Sequence, residues 1–536
     1  MSSSVPRRTA LRVAAVAALS GTAGSALGAC TFTPGPPDAS SPEKTPEPHE
    51  VVVLDGDEAV LLDPTVEPSL AASRALLARA TAVVVVAAAG VDAGTPVATA
   101  LGVPLLVWGA ESAAELDRLG ARTVVRVATP APTGSATATS PSSTDSSRAA
   151  STASPSGSAP APSVPEDLGG REVVDVTDAT ATPEVPGLPL TPTAGRAIAL
   201  ARTGETVPAA AQATLAASGA ELLRCDDDDI RLAVTARDRL RARPDALVLG
   251  ATASLGPAVH FGQRVRTVRV ADELAGGGFL PFPERRMVAL YGHPQTAALG
   301  MLGEQPADQA VARVESLVAE YSSLSEDRFV PAFEIIATIA SGSAGADNQY
   351  STRTAIDILL PWVDAAADAG VYVVLDLQPG RTDFLSQAKL YESLLRRPHV
   401  GLALDPEWRL GPNQVHLRQI GSVGIDEVNE VGAWLAALVR DNDLPPKVLT
   451  LHQFNLSMIR GRQRLDTSLD EVQWLLHADG QGSQPDKQAT WVALRRDLPE
   501  GVWLGWKNFE DEDIPMLTPA QTLAQVDPTP YFISYQ

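Results

Sequence analysis

From residue 284 to residue 536 the chain alternates short apolar runs with longer amphipathic segments. The apolar runs span residues 287–291, 330–337, 371–377, 400–404, 448–451, 472–476, 502–506 and 531–534. Such runs are typical of strands that are covered on both faces, and the segments between them have the apolar spacing of helices. Eight strands, alternating helices and a length of about 250 residues predict a TIM (β/α)8 barrel. The competing arrangement is an open doubly wound sheet, which accommodates eight strands less readily at this length.

The preceding part, residues 51–280, shows the same alternation in shorter units. Its apolar, often β-branched runs include residues 51–55, 82–86, 104–108, 123–127, 196–202, 220–225 and 246–250. Helix-like segments such as 69–80 and 112–119 separate them, so we expect Rossmann- or flavodoxin-like parallel α/β layers. Acidic residues (Leu54-Asp55-Gly56-Asp57) follow the first run where a dinucleotide fold would carry a glycine-rich loop. We therefore expect no cofactor.

The N-terminus has the order of an export signal. Arg7 and Arg8 precede a modest apolar run, and Leu27-Gly28-Ala29-Cys30 follows a stretch of small residues. The tetrapeptide resembles the lipobox of bacterial lipoproteins, whose cysteine carries the lipid. This resemblance implies that residues 1–30 are a signal peptide and that Cys30 anchors the chain at the extracytoplasmic face of the cell membrane.

Two further segments have the composition of unfolded chain. Residues 31–50 are rich in proline, serine and glutamate, which predicts an extended tether between the lipid anchor and the first globular domain. Residues 129–166 consist mainly of Ser, Thr, Ala and Pro, and we expect a disordered insert that interrupts the α/β domain there.

Net charge excludes one class of partner. The chain carries 64 acidic and 42 basic residues, a formal charge of −22, and no Lys/Arg run follows the N-terminal segment. The chain therefore has no basic run that could neutralise a phosphate backbone, and we expect no nucleic-acid partner.

In a (β/α)8 barrel the chemistry sits where the strands end. Every predicted strand ends in a polar or aromatic group, and carboxylates dominate. The candidate catalytic residues are Glu407, Asp405, Glu334 and Asp376. The candidate substrate-binding residues are His293, Trp408, His452, Phe454, His477, Asp479, Trp506 and Lys507. Acids beside aromatic rings are typical of a carbohydrate site, because rings stack on sugars while acids act on hydroxyls and the glycosidic oxygen.

Two motifs extend this interpretation by resemblance. The stretch ALGVPLLVWGAESAAELDRLGARTVVRVA, residues 100–128, resembles the repeat-type cell-wall-binding modules of Gram-positive surface proteins, which implies a cell-wall glycan as partner. Asp405-Pro406-Glu407 resembles the Asp-x-Glu that ends the fourth strand of chitinase-like glycosidase barrels. That resemblance implies that Glu407 is the general acid and that Asp405 orients a substrate group. Together the features resemble a surface lipoprotein of actinobacterial type.

A metal site is the alternative chemistry. His452, His477 and Asp479 offer ligands for a divalent ion, and Glu510-Asp511-Glu512-Asp513 offers oxygens for Ca²⁺. No compact His-x-His or His-x-x-Asp motif is present, so the sequence favours a metal-free site.

The sequence thus predicts a cell-surface lipoprotein with a glycoside-hydrolase-like barrel that acts on or binds cell-wall polysaccharide. The alternative is a non-catalytic glycan-binding surface protein. A raised pKa of Glu407 would favour the enzyme, whereas an ion pair with Arg409 or Arg418 would oppose it.

Overall fold

The computed structural model describes residues 47–128, 162–193 and 195–536. His49–Gln536 forms one compact unit. The predicted signal peptide, the predicted lipidation site Cys30, and most of the predicted tether and insert lie outside the described residues. Among the residues that are described, no helix combines the length and the apolar character needed to cross a bilayer.

The described residues of the first part of the compact unit, those before 286, form ten strands and six α-helices. The strands are β1 (Val51–Val53), β2 (Ala59–Leu61), β3 (Leu77–Ala80), β4 (Ala82–Val86), β5 (Leu105–Val107), β6 (Thr123–Val127), β7 (Glu172–Val176), β8 (Ala197–Arg202), β9 (Glu221–Cys225) and β10 (Leu247–Gly250). The helices are α1 (Pro68–Leu76), α2 (Val91–Leu101), α3 (Ser112–Leu119), α4 (Ala209–Ala217), α5 (Val234–Ala242) and α6 (Ala258–Val270).

Eight of these strands form two four-stranded parallel sheets, in the orders β5-β4-β6-β7 and β2-β10-β8-β9. The mixed α/β architecture and the parallel pairing agree with the prediction. The first apolar run does not join either sheet, because β1 pairs antiparallel with β3. The predicted helix 69–80 ends early for the same reason. Residues Leu77–Ala80 leave the helix and pair with β1 across a register shift between Val52 and Val53.

The second part begins at β11 and contains eleven strands and seven α-helices. The strands are β11 (Arg286–Gly292), β12 (Phe329–Ala340), β13 (Ser351–Arg353), β14 (Tyr372–Leu377), β15 (Val400–Leu404), β16 (Val423–Gly424), β17 (Lys447–Gln453), β18 (Ile459–Arg460), β19 (Val472–Ala478), β20 (Trp503–Asn508) and β21 (Phe532–Tyr535). The helices are α7 (Ala307–Ser322), α8 (Ile356–Ala369), α9 (Phe384–Ala388), α10 (Glu392–Leu395), α11 (Ile425–Asp441), α12 (Gln484–Leu494) and α13 (Pro519–Gln525).

Eight of these strands close into a parallel barrel. They follow the order β11-β12-β14-β15-β17-β19-β20-β21, and the ring closes because β11 pairs with both β12 and β21. Each predicted apolar run coincides with one barrel strand, so the eight-stranded barrel is confirmed and the open sheet is excluded. Short β13 adds antiparallel to β12, which therefore runs beyond the predicted end to Ala340.

The inside of the barrel is apolar at its lower, N-terminal end. Side chains from successive strands pack there with Phe282, which precedes β11 and closes the bottom. The apolar layer includes Met287, Ala289, Val330, Ala332, Val374, Ala403, Val448, Leu475 and Phe532. Because side chains alternate along a strand, the residue two positions further on also points inward, at the upper end.

An Asp470-centred ion-pair network joins the two parts of the unit. Asp470, just before β19, pairs with Arg231 at 2.9 Å and with Arg264 of α6 at 2.6 Å. The Asp470 and Arg231 side chains are 8% and 5% exposed. A second contact, between Arg266 and Asp443, is far more open to solvent.

We predict that Asp470→Asn lowers the free energy of unfolding by about 3 kcal/mol, because it leaves buried guanidinium groups with too little negative charge. The matched control is Asp443→Asn, whose exposed pair should contribute less than about 1 kcal/mol. Urea-induced unfolding, followed by tryptophan fluorescence, measures both. Equal effects of the two substitutions would contradict a buried junction.

Candidate active site

The upper interior layer of the barrel is polar, in contrast to the layer beneath it. Each of the eight strands, or the residue directly after it, contributes one such group at the inward-facing position. These groups are Tyr291, Glu334, Asp376, Asp405, His452, His477, Lys507 and Ser534, and all are buried. The strand register brings them together, since Tyr291 lies beside Glu334 and His452 lies beside His477.

A cavity of about 500 Å³ opens above this layer. Its charged lining groups are Asp405, Glu407, Asp479 and Lys507. Aromatic groups, including Tyr291, Trp408, Phe454 and Phe509, line the same cavity. The mouth of the barrel therefore combines carboxylates, one ammonium group and aromatic rings in one space.

His452 is the central group of the buried layer. One ring nitrogen, Nε2, lies 2.8 Å from Glu334 Oε1, and the other, Nδ1, lies 2.9 Å from Asp479 Oδ2. Burial lowers the pKa of His452, but the surrounding carboxylates, first Glu334 and then Asp376, raise it well above the usual value. A protonated imidazole would donate to both carboxylates and offset part of their charge.

The same contacts set the protonation of Glu334 and Asp479. Burial raises the pKa of each carboxyl group, yet nearby His452 lowers both below their usual values. Both groups are therefore ionised at neutral pH. Of the two, only Asp479 lines the cavity, so it places a negative charge where a ligand would bind.

Asp376 and Lys507 are linked through Tyr291. The Tyr291 hydroxyl donates to Asp376 Oδ2 at 2.9 Å, and Lys507 Nζ lies 3.4 Å from the centre of the Tyr291 ring. Burial is the largest influence on Asp376 and raises its pKa to about 6. The Lys507 ammonium group has no hydrogen bond or ion pair within the described ranges, so its charge acts on the carboxylates through space and on the ring through a cation–π contact.

Glu407 combines an accessible position with a raised pKa. Burial and the charge of Asp479 raise its pKa to about 7, although Lys507 opposes the shift. Arg409 pairs with Glu427 instead, and no ion pair of Glu407 with any arginine occurs in the described part of the chain. At neutral pH a substantial fraction of Glu407 thus carries a proton that it can donate.

Asp405 supports Glu407 from below. Asp405 Oδ1 accepts a hydrogen bond from the Glu407 backbone N–H at 3.2 Å, which fixes the short turn of residues Pro406–Trp408. Burial, and then the charge of Asp376, raise the pKa of Asp405 well above its usual value. Asp405 therefore binds a proton more readily than an ordinary aspartate, and in that form its carboxyl group in the cavity wall can donate to a ligand.

The structure brings most, but not all, of the predicted residues to the cavity. Glu407, Asp405, Trp408, Phe454, Asp479 and Lys507 line it. Glu334, Asp376, His452 and His477 lie beneath it, in the buried layer.

Two predicted residues lie elsewhere. Trp506 alternates with Lys507 on β20, so it points outward and packs against Trp491 of α12. His293 is held by Thr354 Oγ1 at 3.0 Å and by the Gln295 backbone N–H at 3.2 Å. Neither side chain belongs to the cavity lining.

Sequence reasoning missed Tyr291 and Gln378. Tyr291 ends an apolar run and was counted as part of the strand, although its hydroxyl was a signal that the inward-facing position is polar. Gln378 follows β14 and donates from Nε2 to the Tyr291 hydroxyl at 3.3 Å. Both line the cavity.

Gly505 makes room for the histidine beneath the cavity. A Cβ atom at this position of β20 would lie 2.9 Å from His477 Cδ2. The His477 ring therefore occupies the space that any larger residue at position 505 would fill.

The chain was also compared with known proteins. No protein-family model and no curated protein matches it. Its function is accordingly argued from the geometry of the barrel mouth.

We predict that Lys507→Met raises the pKa of Glu407 above about 7, because it removes a nearby positive charge while preserving the length of the side chain. Carbon-13 NMR titration of labelled glutamate carboxyl groups measures this pKa, with the Glu407 signal assigned from Glu407→Gln. Lys389→Met, an exposed site, is the control and should leave the titration unchanged. An unchanged or lower pKa in Lys507→Met would contradict the proximity of the two charges.

Proposed function

We propose that this protein is a cell-surface lipoprotein whose barrel hydrolyses a glycosidic bond in cell-wall polysaccharide. The observation that carries the proposal is a pair of carboxyl groups in one cavity with opposite pKa shifts. The pKa of Glu407 is raised to about 7, whereas the pKa of Asp479 is lowered. A proton donor beside an ionised carboxylate is the arrangement that glycoside hydrolysis requires.

In this mechanism Glu407 gives its proton to the glycosidic oxygen as the bond to the leaving sugar breaks. The ionised Asp479 carboxylate stabilises the positive charge that develops on the sugar ring, and it acts as base toward water or as nucleophile. Because His452 Nδ1 lies 2.9 Å from Asp479 Oδ2, the orientation of the Asp479 carboxylate is fixed before substrate enters. Asp405, when protonated, donates a hydrogen bond to a substrate hydroxyl.

This assignment refines the sequence prediction. The sequence also offers Glu334 and Asp376 as candidate catalytic residues, and both are fully buried beneath the cavity. We assign them to electrostatic support of His452 and Tyr291, and assign the partner role to Asp479, which lines the cavity itself.

The shape of the mouth supports a polymeric substrate. A second cavity of about 320 Å³ lies next to the first, and it is lined by Glu407, Trp408 and residues 416–420. Glu407 and Trp408 border both cavities. A general acid is expected between two sugar subsites, since the bond that it protonates joins the sugars on either side.

Hydrolytic function is tested with the full chain and purified wall glycans, by measuring the release of reducing ends. We predict that Glu407→Gln lowers kcat by at least about 100-fold, the loss typical of a missing general acid. Glu512→Gln is the matched control, because Glu512 is an exposed acid of the loop after β20. Wild-type rates in Glu407→Gln would remove Glu407 from the mechanism. Glycan binding without any turnover by the wild-type chain would favour the non-catalytic alternative.

The location of the protein at the cell surface is part of the same proposal. The Leu27-Gly28-Ala29-Cys30 motif supports lipid attachment at Cys30, and the stretch of residues 100–128 supports contact of the α/β part with wall polymer.

We predict that Cys30→Ser abolishes incorporation of labelled palmitate in the producing cells and moves the protein from the membrane fraction to the soluble fraction. Cys225→Ser is the matched control, since Cys225 is a buried thiol in the α/β part. Retention of Cys30→Ser in the membrane fraction would contradict the lipid anchor.

A further inference from the structure

Beneath the cavity, several buried polar atoms have no hydrogen-bond partner. In residues 47–128, 162–193 and 195–536 such atoms include Glu334 Oε2, Asp376 Oδ1 and His477 Nδ1. All three residues are fully buried. An unsatisfied buried polar group is destabilising, and more so if it is charged, so three of them in one cluster favour a shared partner.

The spacing of these atoms matches the ligands of a metal ion. His452 Nε2 lies 2.8 Å from Glu334 Oε1, and His477 Nδ1 lies 3.7 Å from the same oxygen. Donor atoms of Glu334, His452 and His477 all lie within 4.8 Å of one another. Ligands about 2.0–2.2 Å from a tetrahedral ion are about 3.3 Å apart, which is within the observed range.

A fourth donor is close by. Asp376 Oδ1 lies 4.0 Å from His452 Nε2, on the side of the ring that faces Glu334. Its other oxygen, Oδ2, is held by the Tyr291 hydroxyl, so the carboxylate is oriented with Oδ1 free.

The nitrogen of each imidazole that faces away from the cluster is also held. His452 Nδ1 bonds to Asp479 Oδ2 at 2.9 Å, and His477 Nε2 lies 3.1 Å from Ser534 Oγ. Histidine ligands of metals almost always have such a second hydrogen bond, which fixes the tautomer and aims the free nitrogen at the ion. Both imidazoles are therefore oriented in the way that metal ligands are.

We propose that the floor of the barrel mouth binds one divalent transition-metal ion of the Zn²⁺ class through Glu334, His452 Nε2 and His477 Nδ1, with Asp376 Oδ1 as fourth ligand. Two imidazoles and two carboxylates suit this class of ion better than Ca²⁺ or Mg²⁺, which prefer oxygen ligands alone. The site goes beyond the proposed hydrolysis and does not depend on it.

A second set of possible ligands, formed by Asp405, His452 and Asp479, is less suitable. An ion there would use His452 Nδ1 and would replace the 2.9 Å contact that orients Asp479. It would also leave His477 Nδ1 and Glu334 Oε2 without partners. In the first set the ion takes the place of the proton between His452 Nε2 and Glu334 Oε1, gives these atoms a partner and keeps the contact that orients Asp479.

The role of this ion is structural and electrostatic. Its four ligands come from β12, β14, β17 and β19, so it ties half of the barrel strands together at their upper ends. Four protein donors complete a tetrahedral shell, which is typical of structural zinc sites. Glu334, His452 and His477 do not line the cavity, so the ion lies under the substrate space.

The test uses the full chain after dialysis against a chelator, with Zn²⁺ alone and Co²⁺ alone as probes. We expect equilibrium dialysis to find one tightly bound ion per chain, and bound Co²⁺ to show the visible absorption of a four-coordinate site. Glu334→Gln and His477→Gln should abolish tight binding. His399→Gln, a histidine held by the Val363 carbonyl in another part of the barrel, is the matched control and should bind like the wild type.

Ser534→Ala keeps every ligand and removes only the group that holds His477 Nε2, so it should fold normally and weaken binding by about tenfold. Three results would overturn the proposal: no tight binding by the wild-type chain, wild-type affinity in Ser534→Ala and His477→Gln, or loss of binding in Asp405→Asn with wild-type affinity in Glu334→Gln. Because binding is measured without a glycan, these results are independent of whether Glu407 supports hydrolysis.

Discussion

Closure of the parallel ring is the constraint on which the rest of the structure depends. Once β11 pairs with both β12 and β21, every second residue of each strand must point into a space of fixed width. The lower half of that space is filled by apolar side chains around Phe282. The upper half receives one polar group from each strand, because the alternation continues beyond the apolar layer. A buried polar layer is therefore a direct consequence of the sequence period and the closed sheet.

Burying so many acids in one layer creates an electrostatic problem that the structure resolves in two ways. Glu334 and Asp479 stay ionised because His452 lies between them, with one ring nitrogen toward each carboxylate. Asp376 and Asp405 instead have raised pKa values, because burial disfavours the charged form of each carboxyl group. These opposite shifts produce neighbouring carboxyl groups with different pKa values, and such differences are what acid–base chemistry uses.

The sequence was sufficient for the barrel, because each strand is a compact apolar run and the strand ends could be read directly. The sequence was less informative about which side chains of a strand face the inside of the barrel. Trp506 and Lys507 are adjacent, and only the structure shows which of the two faces the cavity. The antiparallel pairing of β1 with β3 was also missed, since pairing partners are not encoded in either run alone. The ligand cluster has no compact motif, because Glu334, His452 and His477 come from three separate strands.

Asp479 connects the two levels of the site. It lines the cavity, while Oδ2 holds His452 from the side opposite Glu334. The charge beneath the cavity changes when His452 gains a proton or when an ion binds its Nε2. Either change acts on Asp479 through the His452 imidazole ring. Asp479 in turn raises the pKa of Glu407 through its negative charge. The protonation of the proposed general acid therefore depends on groups that a substrate never contacts, and the buried layer sets the chemistry of the cavity above it.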